Sequence, residues 1–368
     1  MDRTILVLVP HFLTVYNLRR ELIQALVSRR YRVVVACPED ERAEQLRALG
    51  CEVEVVPVDR RGLNPASDLL LTTRYIRLIH RVKPGVVLTF TVKPNTYGGI
   101  AARALRTPAI ANITGTGSTF MKQDLKALIV RCLYRPSLRK ASVVFFQNEE
   151  DRTYFQSHGL VQGRTKLLPG SGVNLDQFQS IARPVRPRVR FLFIGRLLTL
   201  KGIGDYIHAA QTITQSRSDA EFHVVGPPEE GRWDEVLEEA QRTGVLTYHG
   251  FRSDITAALG DVDCLVLPSH GGEGVPNVLL EAAATGLPSI VSDISGTRAV
   301  IVEGVTGTTF APGNKDGLVD AIEAFLDSSR ESRSEMGRQA RIWMEQNFSR
   351  TRVVESYIEE IQHSNTGQ

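Results

Sequence analysis

Short apolar runs alternate along this chain with longer stretches of helical period. In the first half the runs at 5–9, 33–36, 53–56, 86–90, 109–112, 143–147 and 166–168 read as strands. Helix-length stretches at 15–28, 41–49, 67–81 and 96–105 lie between them. A proline or glycine closes most runs. That is the rhythm of a buried parallel sheet with helices on both faces.

The rhythm breaks at Arg183-Pro184-Val185-Arg186-Pro187-Arg188, which reads as an extended linker over 183–190. It restarts with strand candidates at 189–194, 220–225, 246–248, 264–267, 289–291 and 307–310, and ends in one long amphipathic segment, 317–362. The pattern predicts an α/β protein of two doubly wound Rossmann-like domains, 1–182 and 191–350. In such folds ligands sit outside the carboxyl ends of the strands, so two domains face to face would enclose an interdomain cleft.

Composition narrows the class. The 42% hydrophobic and 23% charged fractions are those of a globular protein, not of a disordered or fibrous one. Cys37, Cys51, Cys132 and Cys264 are widely spaced, which excludes a zinc ribbon or disulfide scaffold and fits a reducing compartment. The first apolar run is too short for a signal-peptide core, and no later one reaches the roughly 18 residues of a membrane span, so a cytoplasmic location is expected. The net charge of +3 conceals an asymmetry: residues 1–180 hold 26 Lys/Arg against 15 Asp/Glu, while 181–368 carry a net −8. Within 60–140 the surplus is +13, with only Asp68 and Asp124 opposing it. Charge of one sign gathered in one stretch indicates an anionic partner: nucleic acid, phospholipid headgroups or a phosphorylated substrate.

The strongest chemical signal is Pro268-Ser269-His270-Gly271-Gly272-Glu273-Gly274-Val275-Pro276-Asn277, with Glu281 eight positions beyond Glu273. A glycine-rich loop leaves a strand end and Asn277 is expected to cap the helix that follows. Two carboxylates split between loop and helix can grip two hydroxyl-bearing parts of one ligand. Backbone amides at the helix start can meet its phosphates. The first strand of the second half runs into Gly195-Arg196-Leu197-Leu198-Thr199-Leu200-Lys201-Gly202. A guanidinium and a lysine at one strand end suit a diphosphate and can stabilise charge on a departing one in the place of a divalent ion.

Gly195-Arg196, Lys201-Gly202, Glu273 and Glu281 resemble the donor site of the retaining glycosyltransferases of family 4, which have the GT-B fold. Gly226, Gly250-Phe251 and Gly304-Val305-Thr306-Gly307 fall in that family's order. The resemblance implies that Gly195, Arg196, Lys201, Glu273, Gly274, Val275, Pro276, Asn277 and Glu281 bind a UDP-sugar. Arg196 and Lys201 would hold the diphosphate, Glu281 the ribose and Glu273 the transferred sugar, with Arg196, Lys201 and Glu273 acting in the reaction. Neither cofactor nor metal is implied. The first domain would take the acceptor, and a helix at 351–368 would pack back on it.

Arg61-Gly62-Leu63-Asn64-Pro65, Lys93-Pro94-Asn95-Thr96-Tyr97-Gly98-Gly99, Ile113-Thr114-Gly115-Thr116-Gly117-Ser118 and Leu168-Pro169-Gly170-Ser171-Gly172-Val173-Asn174 narrow the branch. They resemble the bacterial PglA-like N-acetylgalactosaminyltransferases and their relatives in surface-polysaccharide assembly. The acceptor implied is a sugar on undecaprenyl diphosphate, at the inner face of the cytoplasmic membrane. Many family members carry a histidine after the first domain's fifth strand; here that loop reads Asn112-Ile113-Thr114-Gly115, without one. Lys93, Asn95 and Thr114 are the acceptor-side candidates, and His11 stands at the end of the first strand. The segment 120–140 has helical apolar spacing flanked by Lys122, Lys126, Arg131, Arg135, Arg139 and Lys140, which suits peripheral contact with an anionic membrane or an ordinary domain helix. The alternatives are a sugar-nucleotide 2-epimerase of related architecture and a basic nucleic-acid-binding protein. No aromatic-interleaved basic loop supports the latter, so no nucleic-acid partner is expected.

Overall fold

The computed structural model describes residues 3–59, 64–115 and 125–366, in two compact units. Unit 1 comprises residues 1–171 with 350–368, and unit 2 comprises 172–349. Arg61–Leu63, Thr116–Ser118 and Phe120–Lys122, all part of the motifs above, lie outside the described residues.

Seven strands form the unit 1 sheet: β1 (Thr4–Leu8), β2 (Arg32–Cys37), β3 (Glu52–Val55), β4 (Val86–Phe90), β5 (Ala109–Ile113), β6 (Val143–Phe146) and β7 (Thr165–Leu167). Their order is β3-β2-β1-β4-β5-β6-β7, and every pairing is parallel. β1, β4, β5 and β6 are buried along their whole length, the physical reason for their unbroken apolar runs. Unit 2 repeats the plan with β8 (Val189–Ile194), β9 (Ala220–Val225), β10 (Thr247–Tyr248), β11 (Cys264–Leu267), β12 (Ser289–Ser292) and β13 (Gly307–Phe310), in the order β10-β9-β8-β11-β12-β13. The strand order, not the strand direction, reverses between β1 and β4 in unit 1 and between β8 and β11 in unit 2. Those are the switch points where doubly wound sheets take ligands.

Helices depart from the periodicity where local chemistry intervenes. The stretch expected as one helix at 15–28 is two, Phe12–Tyr16 and Arg20–Ser28. The first is capped by His11, whose Nδ1 accepts the Leu13 N–H at 3.1 Å. The segment expected to be continuous from 317 to 362 is three helices, Lys315–Asp327, Arg330–Asn347 and Arg350–Thr366. Ser329 caps the second by accepting from Ser332 N–H.

The third helix packs in unit 1. Val353, Val354, Tyr357, Ile358 and Ile361 join the core formed by β1, β2, β4 and β6. Tyr357 lies between Phe90 and Phe145, with ring centroids 5.9 and 4.8 Å away, and its hydroxyl accepts a short hydrogen bond from Asn112 Nδ2. Arg350 secures the helix start through Glu21 at 2.9 Å. Residues 172–190 belong to unit 2: Val173 and Phe178 sit in its core, and Arg183 donates to the carbonyls of Val262 and Gly286. The division therefore falls after Ser171, ahead of the expected linker, because these contacts bind the 183–190 stretch to the second sheet.

Truncating Tyr357→Ala removes a fully buried ring and strands the Asn112 amide. Urea unfolding should show a loss of about 3–5 kcal/mol, whereas Tyr357→Phe, which loses only the hydrogen bond, should cost about 1 kcal/mol. Equal, small losses for the two variants would contradict this role.

Candidate functional site

Two turns at the unit 2 switch point build the site. The chain leaves β8 at Gly195 and makes a 3-10 turn, Thr199–Lys201, before the helix Ile203–Ser216. The chain leaving β11 passes beneath it. Gly202 has φ +74°, and a Cβ there would sit 1.9 Å from the Pro268 carbonyl oxygen. Gly226, after β9, comes equally close: a Cβ would lie 1.7 Å from the Gly195 carbonyl oxygen. These approaches exclude any side chain and bring three loop backbones together.

Lys201 Nζ forms a short ion pair with Glu273 Oε1, and Ser269 Oγ donates to the same oxygen at 2.7 Å. Both partners are largely buried. Arg196, about half exposed, pairs with Glu229 at 3.2 Å. Glu230 accepts from the Thr199 amide at 3.2 Å, from its hydroxyl at 2.6 Å and from Trp233 Nε1 at 3.1 Å. These bonds hold the Glu230 carboxyl below its ordinary range, the Thr199 hydroxyl bond contributing most. Arg196 and Lys201 thus share the loop after β8 and Glu273 stands on the loop after β11, each cation steadied by a carboxylate. Gly274 lies against the turn Ser295–Arg298, where a Cβ on Gly296 would come 1.9 Å from the Gly274 carbonyl oxygen. Val275 is buried beside it.

Asn277 does not cap its helix. Pro276 occupies that place and Asn277 is the first helical residue of Asn277–Ala284, its Oδ1 buried without a partner among the described residues. Pro276 offers no side-chain acceptor, so the expected cap bond is absent. Glu281 follows on the same helix, half-buried.

Several residues of this site escaped sequence reasoning. Glu229 and Glu230 follow Gly226-Pro227-Pro228 as an ordinary acidic pair. His270 carried a signal, since it stands in the glycine-rich motif itself. Its Nε2 meets Asp205 Oδ2 at 2.7 Å and its amide donates to Leu200 O at 2.9 Å, which ties the β11 loop to the β8 loop and helix. Among the described residues, no group of three or more His, Cys, Asp or Glu is placed to hold a metal ion.

In unit 1, Lys93 is buried after β4, against Asp68 at 2.7 Å, and is not the solvated cation a strand-end lysine usually is. Tyr97 Oη donates to the other Asp68 oxygen at 2.7 Å; burial first, and that carboxylate second, push its phenol upward in pKa. Asn95 is fully buried, accepting from Thr89 Oγ1 at 2.7 Å and donating to Asn112 O at 2.8 Å. It joins β4 to β5 and presents no surface to an acceptor. Thr114, just past β5, is half-buried. In the helix Leu125–Leu138, Val130, Tyr134 and Leu138 pack against β5 and β6, while Leu128 is exposed. None of the described helices is long and apolar enough to cross a membrane.

Residues 4–148 match the family model described as Glycosyl transferase 4-like, and residues 176–343 that described as Glycosyl transferases group 1. A Campylobacter jejuni relative, N,N'-diacetylbacillosaminyl-diphospho-undecaprenol alpha-1,3-N-acetylgalactosaminyltransferase, is 30% identical over 334 residues, covering 86% of this chain and 88% of its own. The chain is a glycosyltransferase of these families. The glycosyltransferase is also 25% identical over 294 residues to the Escherichia coli UDP-Gal:alpha-D-GlcNAc-diphosphoundecaprenol alpha-1,3-galactosyltransferase, covering 74% of each. Among solved structures, Anabaena HepE in complex with UDP and glucose superposes with a TM-score of 0.79 at 20% identity, over 97% of this chain and 99% of that one. Sucrose-phosphate synthase from Thermosynechococcus elongatus gives 0.79 at 17% identity, over 99% and 100%. Both share the two Rossmann-like sheets of the GT-B fold, and the epimerase alternative is set aside by the family assignment.

Gly202→Ala should lower glycosyl transfer by about a hundredfold or more, because the loops carrying Lys201 and Glu273 must separate. Gly244→Ala is the control: its φ is +75° but nothing lies within 4 Å of the added Cβ. Assayed side by side, near-equal activities would show that the close approach is dispensable.

Proposed function

We propose that this glycosyltransferase moves a hexose or N-acetylhexosamine from a UDP-sugar to an undecaprenyl-diphosphate-linked sugar, keeping the anomeric configuration and using no metal ion. The observation that carries the reading is the Lys201–Glu273 ion pair between the loops that leave the carboxyl ends of β8 and β11, with Arg196 on the same β8 loop, paired to Glu229. The two named relatives support the acceptor class, since both names specify alpha-1,3 transfer onto a diphosphoundecaprenol-linked sugar.

In this reading Arg196 and Lys201 bind the diphosphate and compensate its growing charge as the bond from the sugar's anomeric carbon to the diphosphate oxygen breaks. The acceptor hydroxyl attacks the anomeric carbon on the face the diphosphate leaves. Its proton passes to the departing diphosphate oxygen, so UDP is released and no side-chain base is consumed. Glu273 turns from its ion pair toward the sugar hydroxyls, and Glu281 holds the ribose. On the acceptor side Thr114 is the accessible candidate; Lys93 acts through its ion pair with Asp68, and Asn95 as a brace behind both. The enzyme would work as a peripheral protein at the inner face of a bacterial cytoplasmic membrane, in surface-polysaccharide assembly. The +13 surplus over residues 60–140 supports contact with anionic lipid there.

Thermal-shift titration with a panel of nucleotide sugars in EDTA tests the donor assignment. One UDP-sugar should raise the melting midpoint above UDP alone, and absence of any shift would overturn it. Glu281→Ala should weaken donor binding. Lys201→Ala should lower kcat by about 10²–10³-fold with a smaller change in donor affinity; a loss confined to KM would make Lys201 a ground-state anchor only.

A further inference from the structure

The donor site accounts for one end of the unit 2 sheet. At the other end, beside the amino ends of β8, β11 and β12, a cavity of about 530 Å³ opens, lined by Val189, Asp263 and Pro288 from those strand starts. Its remaining wall comes from residues 180–188, Gly286 and the helix Arg330–Asn347. Seven arginines line it against one carboxylate, Asp263, which already accepts the Arg190 amide at 2.9 Å. This concentration stands in the half of the chain that is acidic overall, net −8 over 181–368.

Three of the seven are committed to structure. Arg183 donates to the carbonyls of Val262, Gly286 and Thr285, and burial lowers its pKa to about 10, so it remains charged at neutral pH. Arg341 donates to the carbonyls of Phe178 and Ala284, and Arg338 pairs with Glu335. The other four have unused capacity. Arg186 bonds Asp261 through Nη2, while its Nη1 is buried with no partner among the described residues. Arg188 stands 3.5 Å from Glu221. Arg330 and Arg333 form no ion pair among the described residues; each donates one bond of 3.4 Å to a carbonyl, that of Arg183 and of Phe325.

Guanidinium groups gathered in a concavity repel one another and present N–H forks that match phosphate oxygens. The volume falls within the range of about 300–1,000 Å³ usual for small-ligand sites. We propose that this cavity is an anion site that binds a phosphate or diphosphate group, with Arg186, Arg188, Arg330 and Arg333 as its donors. It lies wholly within unit 2 and uses none of the donor-site residues. A phosphorylated metabolite and a lipid headgroup present the same chemistry to it.

The test uses the full chain with the donor site disabled by Arg196→Ala and Lys201→Ala, titrated with inorganic pyrophosphate by calorimetry at constant ionic strength. One pyrophosphate per chain should still bind, and adding Arg330→Gln with Arg333→Gln should weaken it at least tenfold. A parallel melting curve checks the fold; if that pair melts early, Arg188→Gln, an exposed side chain, should give a smaller loss without a change in melting. Cosedimentation with phosphatidylglycerol vesicles separates the sources: vesicle binding without pyrophosphate binding, lost in the same pair of substitutions, assigns the site to a headgroup. Pyrophosphate affinity that ignores these arginines, or binding to neither probe, overturns the proposal.

Discussion

Backbone packing without side chains sets the spacing of the paired charges at the carboxyl ends of β8, β9 and β11. Where Gly202 meets Pro268 and Gly226 meets Gly195, the three loops leaving β8, β9 and β11 touch through main-chain atoms alone. That contact places Lys201 against Glu273, and Arg196 against Glu229, across strands that neighbour one another only through the sheet's order. The Arg196–Glu229 pair, with a half-exposed guanidinium, contributes little to stability. Here it fixes two long side chains before a ligand arrives, which lowers the ordering cost of binding. His270 with Asp205 adds a second tie between the same loops.

Unit 1 solves a different problem, the burial of polar groups behind its own switch point. Thr89, Asn95, Asn112 and Tyr357 form one chain of hydrogen bonds from β4 through β5 to the last helix. Asp68, Lys93 and Tyr97 form another beside it. Buried polar groups are costly unless paired, and the pairing makes the position of the C-terminal helix specific as well as stable. Thus Lys93 and Asn95, which look like ligand contacts in sequence, first serve to shape the surface that Thr114 borders.

The inner strands were legible because parallel strands buried on both faces are mostly apolar, and all thirteen strands overlap the runs read from the sequence, the half-exposed β3 and β7 included. Helix limits were less so. The segment 317–362 keeps one amphipathic period through two breaks, at Ser328-Ser329 and Phe348-Ser349, since each helix buries one face whichever core it meets. The unit boundary was hidden for a related reason. Arg183 is held by carbonyl oxygens of residues far along the chain, which composition cannot reveal. In the proposed donor site, Gly195-Arg196, Lys201 and Glu273-to-Glu281 stood out in the sequence as candidates. Their partners did not, because Glu229, Glu230 and Asp205 become neighbours only through tertiary contact. Asn277 reads as a cap by type and is displaced from that role by one residue.

In the proposed reaction Arg196 and Lys201, held after β8, take the place of a divalent metal, and the acceptor adds to the face of the sugar that the diphosphate leaves. Transfer from a UDP-sugar to a synthetic polyprenyl-diphosphate sugar, run in EDTA with the product's anomeric configuration read by NMR coupling, tests it most directly. The account requires turnover in EDTA equal to that with added magnesium, and a product whose configuration matches the donor's. Turnover that depends on the metal, or an inverted product, would contradict it.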